Sequence, residues 1–326
     1  MKNFFNYILR IGISVLLLWW IFKHIDTEQT LSVVRSANIG YIAVAFVFFL
    51  ATYGITFYRW TLFIKGMDLK APEREIFRYF CIGVFGNLFL PSAIGGDAIK
   101  IVGLCRIVDH KAKVVGSILL DRLSGYAGLV IVMMVACAFG FEHIQEPGIM
   151  IPVLFVIPGT IVAALVLFNE KIYEFCCRIF DRIPKIKNAL MQLHYDIALM
   201  RNHPRYGYGG IALSALSHVC LAVLSYFIAV GLHQDVSIIH FLIFFPLISV
   251  ASALPSLGGL GVREAAAVYF FGKIGIDSGI AASITLMTYV FMVIIGLIGG
   301  AVYVTTLSSG RVQHPAPDPG TPAVGD

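Results

Sequence analysis

The 326-residue chain is 58% hydrophobic and 13% charged, with a mean hydropathy of +0.84 and a formal net charge of +5. A composition this apolar excludes an ordinary water-soluble globular domain and points to an integral membrane protein. The basic residues gather in particular loops instead of forming one basic patch, which gives nucleic-acid binding no support.

At the start of the chain, Lys2 and Arg10 accompany an apolar run to Phe22. The following Phe22-Lys23-His24-Ile25-Asp26 offers no small-residue cleavage site, so the run reads as an uncleaved first span. Apolar runs at 7–23, 41–64, 115–140, 150–168, 208–232 and 279–306 each approach the ~20 residues that cross a hydrocarbon core of about 30 Å. They predict an all-α polytopic membrane protein with about six full transmembrane helices.

Two shorter apolar segments, 79–91 and 238–255, end at nearly the same break. The first reads Pro91-Ser92-Ala93-Ile94-Gly95-Gly96-Asp97 and the second Pro255-Ser256-Leu257-Gly258-Gly259-Leu260-Gly261, 164 residues further on. Proline and glycine that interrupt apolar segments at corresponding places in two halves point to a transporter's binding site, because unwound backbone needs polar partners that lipid cannot supply. The loops at 64–78 and 98–113 are both rich in Lys and Arg, so the first segment is expected to enter from the cytoplasm and return there as a re-entrant hairpin. The loops Glu142–Gly148 and His233–Ser237 hold no Lys or Arg, so its twin is expected to open outwards. These readings predict a single domain over 1–306 whose half-repeats, 41–140 and 208–306, form an inverted repeat with both termini cytoplasmic. A competing reading makes both broken segments full crossings.

Between the halves, Ile172, Phe175, Cys176, Ile179, Phe180 and Ile183 follow helical spacing, and the pattern resumes after Pro184. The stretch 169–207 therefore reads as amphipathic helices in the cytoplasmic interface, with partner docking as the alternative. The proline-rich tail within 307–326 is expected to be disordered.

Ionisable groups at membrane depth cost about 2.5–3.5 kcal/mol each on insertion scales, so each needs a partner, water or a function. The set is Arg59, Asp97, Lys100, Asp121, Arg122, Arg263 and Glu264. Arg59 lies near the cytoplasmic end of its span, where it is expected to snorkel to the headgroups. Asp121 and Arg122 either pair with neighbouring helices or serve the site. Gly95, Gly96, Gly258, Gly259 and Gly261 precede helix starts whose free N–H groups favour an anion such as a lipid phosphate. Lys100 and Arg263 add cations suited to the same phosphate, and Glu264 can pair with Arg263 when no ligand is present. Asp97 complicates the first break: it can cap the helix, meet a cationic headgroup, exchange a proton, or pair with Lys100 or Arg263. By charge the second break reads as the stronger anion site.

No H-E-x-x-H, G-x-S-x-G or nucleotide loop occurs, and His218 reads as a helix contact more than a catalyst. The six cysteines show neither C-x-x-C spacing nor histidine company, so no metal and no cofactor is expected.

Taken together, Arg59-Trp60, Asn87-x-Phe89-Leu90-Pro91-Ser92-x-x-Gly95-Gly96-Asp97, Asp121-Arg122-x-x-Gly125 and Pro255-Ser256-x-Gly258-Gly259-x-Gly261-Val262-Arg263-Glu264 resemble the transmembrane, flippase-like region of lysylphosphatidylglycerol synthases and their stand-alone relatives. The resemblance runs from residue 7 to 306. It implies an inner-membrane module that moves a lipid between leaflets, the lipid being a phospholipid or an aminoacylated, hopanoid or polyprenyl-linked species. It also implies a possible glycosyltransferase or lipid-modifying partner. Two departures stand out: no aminoacyl-transferase domain follows the module, and Lys100 stands where relatives commonly carry arginine. The expected function is lipid translocation, with Asp97 and Glu264 as countercharge or proton coupling. The alternatives are an accessory subunit or enzyme of envelope lipid or lipid-linked sugar modification, and a small-solute transporter.

Overall fold

A computed structural model describes residues 15, 16, 19, 27–89, 95–168, 203–252, 256 and 259–308. Pro91, Ser92, Pro255 and Gly258, nearly all of the expected first span at 7–23 and of the interfacial stretch 169–207, and the tail beyond 308 lie outside the described residues.

The described chain is all helical. In order come α1 (Thr27–Arg35), α2 (Ile39–Gly66), α3 (Glu73–Phe89), α4 (Gly95–Leu104), α5 (Lys111–Phe139), a 3-10 turn (Phe141–Ile144), α6 (Pro147–Phe168), α7 (Pro204–Gly231), α8 (Ile238–Ala251), α9 (Val262–Gly272) and α10 (Ser278–Ser308). Of these, α2, α5, α7 and α10 are long and apolar enough to cross a membrane. The span expected at 150–168 falls within α6, which runs for 22 residues. Local chemistry sets several starts. Asn38 Oδ1 accepts the Gly40 N–H at 2.9 Å, Ser237 accepts from Ile239, and Asp277 Oδ1 accepts from Gly279 at 2.8 Å. Pro204 opens α7, where a missing N–H costs nothing.

The order long helix, broken pair, long helix occurs twice, as α2–α3/α4–α5 and as α7–α8/α9–α10. The two first helices pack antiparallel. Gly210 faces Phe63 at one end of the contact, Gly231 faces Tyr41 and Ile42 at the other, and Phe227 stacks on Tyr41 and Phe48. Both broken segments double back on themselves. In the first, Tyr79 lies on Gly103 and Asn87 on Gly96. In the second, Phe241 packs on Phe271 and Ser252 on Gly259.

The hairpins open toward opposite ends of the bundle. The α3/α4 hairpin opens at the end marked by the Lys65–Glu73 and Asp68–His203 contacts. The α8/α9 hairpin opens at the other, where Asn38 N–H donates to the Gly231 carbonyl, Tyr269 Oη donates to the Gly148 carbonyl and Lys273 pairs with Glu146. On the surface there, the hydrogen bond and charge of Glu146 raise the Lys273 pKa. Each hairpin has its own apolar core. One centres on Trp60, Phe63, Ile76 and Phe80, the other on Phe241, Phe244, Phe271 and Ile284, and Tyr53 and Ile295 pack against both. Glycines let helices approach closely where no hydrophobic force drives them together: α3 lays Leu88 on Gly296 and Cys81 on Gly299 of α10.

Candidate site at the two hairpin turns

At the first turn the backbone of α4 passes very close to α3. A Cβ on Gly96 would collide with the Gly83 carbonyl and the Asn87 side chain, while Asn87 Oδ1 accepts the Gly96 N–H at 3.0 Å. At the second turn Gly259 and Gly261 hold φ of +83° and +85°, a region other residues rarely adopt. There the Gly261 N–H donates to Glu264 Oε2 at 2.6 Å. Both turns thus satisfy an orphan N–H at a helix start with an oxygen of their own side chains.

Asp97 is 5% exposed and held by two cations. Its Oδ2 accepts from Arg122 at 2.7 Å, and its Oδ1 accepts from Lys100 Nζ at 3.2 Å. Among the pairings that the sequence left open, the structure makes the one with Lys100, adds Arg122 and places Arg263 elsewhere. Lys100 is itself buried, with Nζ 5.1 Å from the Trp60 ring centroid and 5.3 Å from that of Phe80. Arg122 is the open side of the cluster, its side chain 42% exposed.

Beside it lies a closed polar knot. Arg59 Nε and Nη2 donate to the two oxygens of Asp121 at 2.6 and 3.0 Å, and Nη1 donates to Ser214 Oγ at 2.9 Å. Arg59 is 8% exposed, so it does not snorkel to the headgroups as expected. A carboxylate on α5 and a hydroxyl on α7 meet its fork inside the bundle, and bidentate pairing outweighs solvation at the rim. Asp121 and Arg122 indeed pair with neighbouring helices, but with different ones. The adjacent residues Arg59-Trp60 on α2 and Asp121-Arg122 on α5 interlock: Arg59 takes Asp121, Arg122 reaches Asp97, and Trp60 backs Lys100. His218 Nε2 lies 3.2 Å from the Gly125 carbonyl, a helix contact as read from sequence.

In the second hairpin Arg263 Nε and Nη2 donate to Glu264 Oε1 at 3.1 and 2.8 Å. Glu264 is fully buried. Arg263 also lies 5.5 Å from the Tyr289 ring centroid. Ser256 is 4% exposed beside this turn. Ser214 and Tyr289 carry no local signal in the sequence, because each contributes through a partner on another helix. Among the described residues no group of His, Cys, Asp and Glu is placed to hold a metal.

The profile of a family described as lysylphosphatidylglycerol synthase TM region matches residues 7–300. The UPF0104 membrane protein PH1989 of Pyrococcus horikoshii is 23% identical over 312 residues, covering 88% of this chain and 92% of its own length. The UPF0104 membrane protein MJ1595 of Methanocaldococcus jannaschii is 21% identical over 311 residues, covering 88% and 91% respectively.

Proposed function

Because the chain belongs to the lysylphosphatidylglycerol synthase transmembrane-region family, and its two hairpins turn inside the bundle among buried charges, we propose that it is a lipid translocase. A phospholipid or lipid-linked headgroup enters the polar region between the hairpin turns while its chains stay in the bilayer. The observation that carries this reading is the pair of hairpins that open toward opposite ends, since alternating access needs a site reachable from either side.

In this reading Gly95, Gly96 and Lys100 of the first turn, and Gly258, Gly259, Gly261 and Arg263 of the second, cradle the headgroup phosphate. Asp97 and Glu264 supply countercharge or proton coupling. Arg59, Asp121 and Arg122 tie the cradle to α2 and α5. The repeated element order and the antiparallel α2–α7 contact support an inverted repeat of 41–140 and 208–306.

Orientation follows from charge. Lys65, Lys70, Arg74, Arg106, Lys111, Lys113 and Arg205 belong to the end where the first hairpin opens, whereas Arg35 and Lys273 belong to the other. By the positive-inside rule the first end is cytoplasmic, in a bacterial-type inner membrane. The test is reconstitution of the purified chain in vesicles that contain anionic, aminoacylated and glycosylated lipids with labelled tails. Faster exchange between leaflets for at least one lipid supports the proposal; no acceleration for any of them overturns it.

A further inference from the structure

A narrow apolar seam separates the charged groups of the two hairpins. Helices α2 and α10 run in the same direction: Thr30, just ahead of α2, lies on Gly279 at the start of α10, and further along Phe46 and Phe49 pack on Phe291 with ring centroids 5.1 and 5.6 Å away. One turn beyond this aromatic layer stand Tyr53 on α2 and Ile295 on α10. Among the described residues, only these two side chains pack against the apolar cores of both hairpins. The Tyr53 ring lies 4.9 Å from Phe49 in one core and 6.5 Å from Phe80 in the other. Buried cations flank the seam. Lys100 sits over Trp60, about 10 Å along α2 from Tyr53, and Arg263 sits over Tyr289, about 9 Å back along α10 from Ile295.

A headgroup that travels between the turns has to pass this seam, because the cores on either side are close-packed and apolar, and a polar group forced through them loses its hydrogen bonds. Phe49 and Phe291 are buried, whereas Tyr53 and Ile295 are only partly so, which makes theirs the layer that can part without opening either core. Tyr53 also ends in a hydroxyl, a polar tip that Phe49, Phe80 and Phe291 lack.

We propose that Tyr53, with Ile295 at the same level, is the gate between the two turns and sets the largest headgroup that passes. The ring closes the seam when no headgroup is in transit, which denies water and ions a continuous path. Bulk, not charge, does the sorting here, so lipids of equal charge are separated by headgroup size. The inference rests on the translocase reading for the lipid that passes; the passage itself is tested apart from any lipid movement.

Passage is read by labelling. In sealed vesicles, with the native cysteines replaced, Tyr53→Cys should react with a charged, membrane-impermeant methanethiosulfonate from at least one side. It should do so roughly tenfold or more faster than Leu50→Cys, on the exposed apolar face of the same helix, since only a thiolate in contact with water attacks. Sorting is read by exchange between leaflets of tail-labelled phosphatidylglycerol and phosphatidylinositol, which carry the same charge and differ in headgroup size. Tyr53→Trp should raise the ratio of the phosphatidylglycerol rate to the phosphatidylinositol rate and Tyr53→Ala should lower it, each by roughly tenfold, the scale on which a small change of bulk alters discrimination. If Tyr53→Ala does not fold, Ile295→Ala, which opens the same layer, takes its place. Equal labelling of Tyr53→Cys and Leu50→Cys overturns the proposal. So does a rate ratio that stays at the wild-type value in the variants whatever happens to the separate rates, the mark of a purely structural side chain. Labelling of Tyr53→Cys as described, in a chain that moves no lipid, refutes the translocase reading and leaves the passage standing.

Discussion

Arg59 and Asp121 are stable in the bundle only as a pair. Asp121→Ala leaves a charged guanidinium at 8% exposure with Ser214 as its remaining side-chain partner, and should cost about 3–5 kcal/mol, read as a lower unfolding midpoint in detergent. Arg59→Lys cannot make the two-pronged contact and should lose stability too, but less. The double variant Arg59→Met with Asp121→Leu removes both charges and should recover most of the loss. A double variant as unstable as Asp121→Ala would show that packing, not an isolated charge, sets the cost. At this scale the sequence is only half legible. That Asp97 and Asp121 need a partner or a function follows from their depth, whereas Arg59 reads as a snorkelling residue, and the partners of all three lie far along the chain. Asp97 meets Arg122 across 25 residues, Arg59 meets Asp121 across 62 and Ser214 across 155, and no local periodicity reports such distances.

At the scale of elements, the hairpins depend on close approach and on unusual backbone. Gly96→Val would force a side chain into the Gly83 carbonyl and Asn87, opening the α3/α4 contact at about 1–3 kcal/mol, whereas Gly54→Ala meets nothing within 4 Å and should be neutral. Gly261→Ala, at φ +85°, should cost about 1–2 kcal/mol from backbone strain. Equal stability of all three variants would refute this dependence on glycine; circular-dichroism melts of the purified proteins measure it.

The Lys65–Glu73 pair closes the loop before the first hairpin, and its hydrogen bond and charge hold the Glu73 carboxyl below its usual value. A depressed folded-state pKa contributes stability above the unfolded value and loses it as the pH falls through the folded one. Glu73→Gln should therefore be slightly less stable than wild type at neutral pH and match it once the pH has fallen below the depressed folded-state value, the difference staying small because both side chains are exposed. The hairpins are legible in the sequence because proline, glycine and flanking charge are local signals. Their packing on α5 and α10 is not, because it is set by which glycines face which side chains across the bundle.

For the whole molecule, alternating access requires two opposed openings. In a chain with its native cysteines replaced, single cysteines at exposed Asp109 and Asp235 should react with a membrane-impermeant thiol reagent from opposite sides, Asp235→Cys on intact cells and Asp109→Cys only after permeabilisation. Labelling of both from one side would remove the opposed-hairpin arrangement. Movement of lipid is the most direct readout, and α9 with its C-cap supplies its own control, since Arg263 faces the buried turn while Lys273 lies at the surface end. In vesicles that contain phosphatidylglycerol with labelled tails, wild type and Lys273→Ala should exchange the lipid between leaflets at similar rates. Arg263→Ala should be slower by roughly a hundredfold, as expected when a buried charge-assisted contact is lost and Glu264 is left unpaired. Exchange by Arg263→Ala at the wild-type rate would contradict a translocation path between the two hairpin turns.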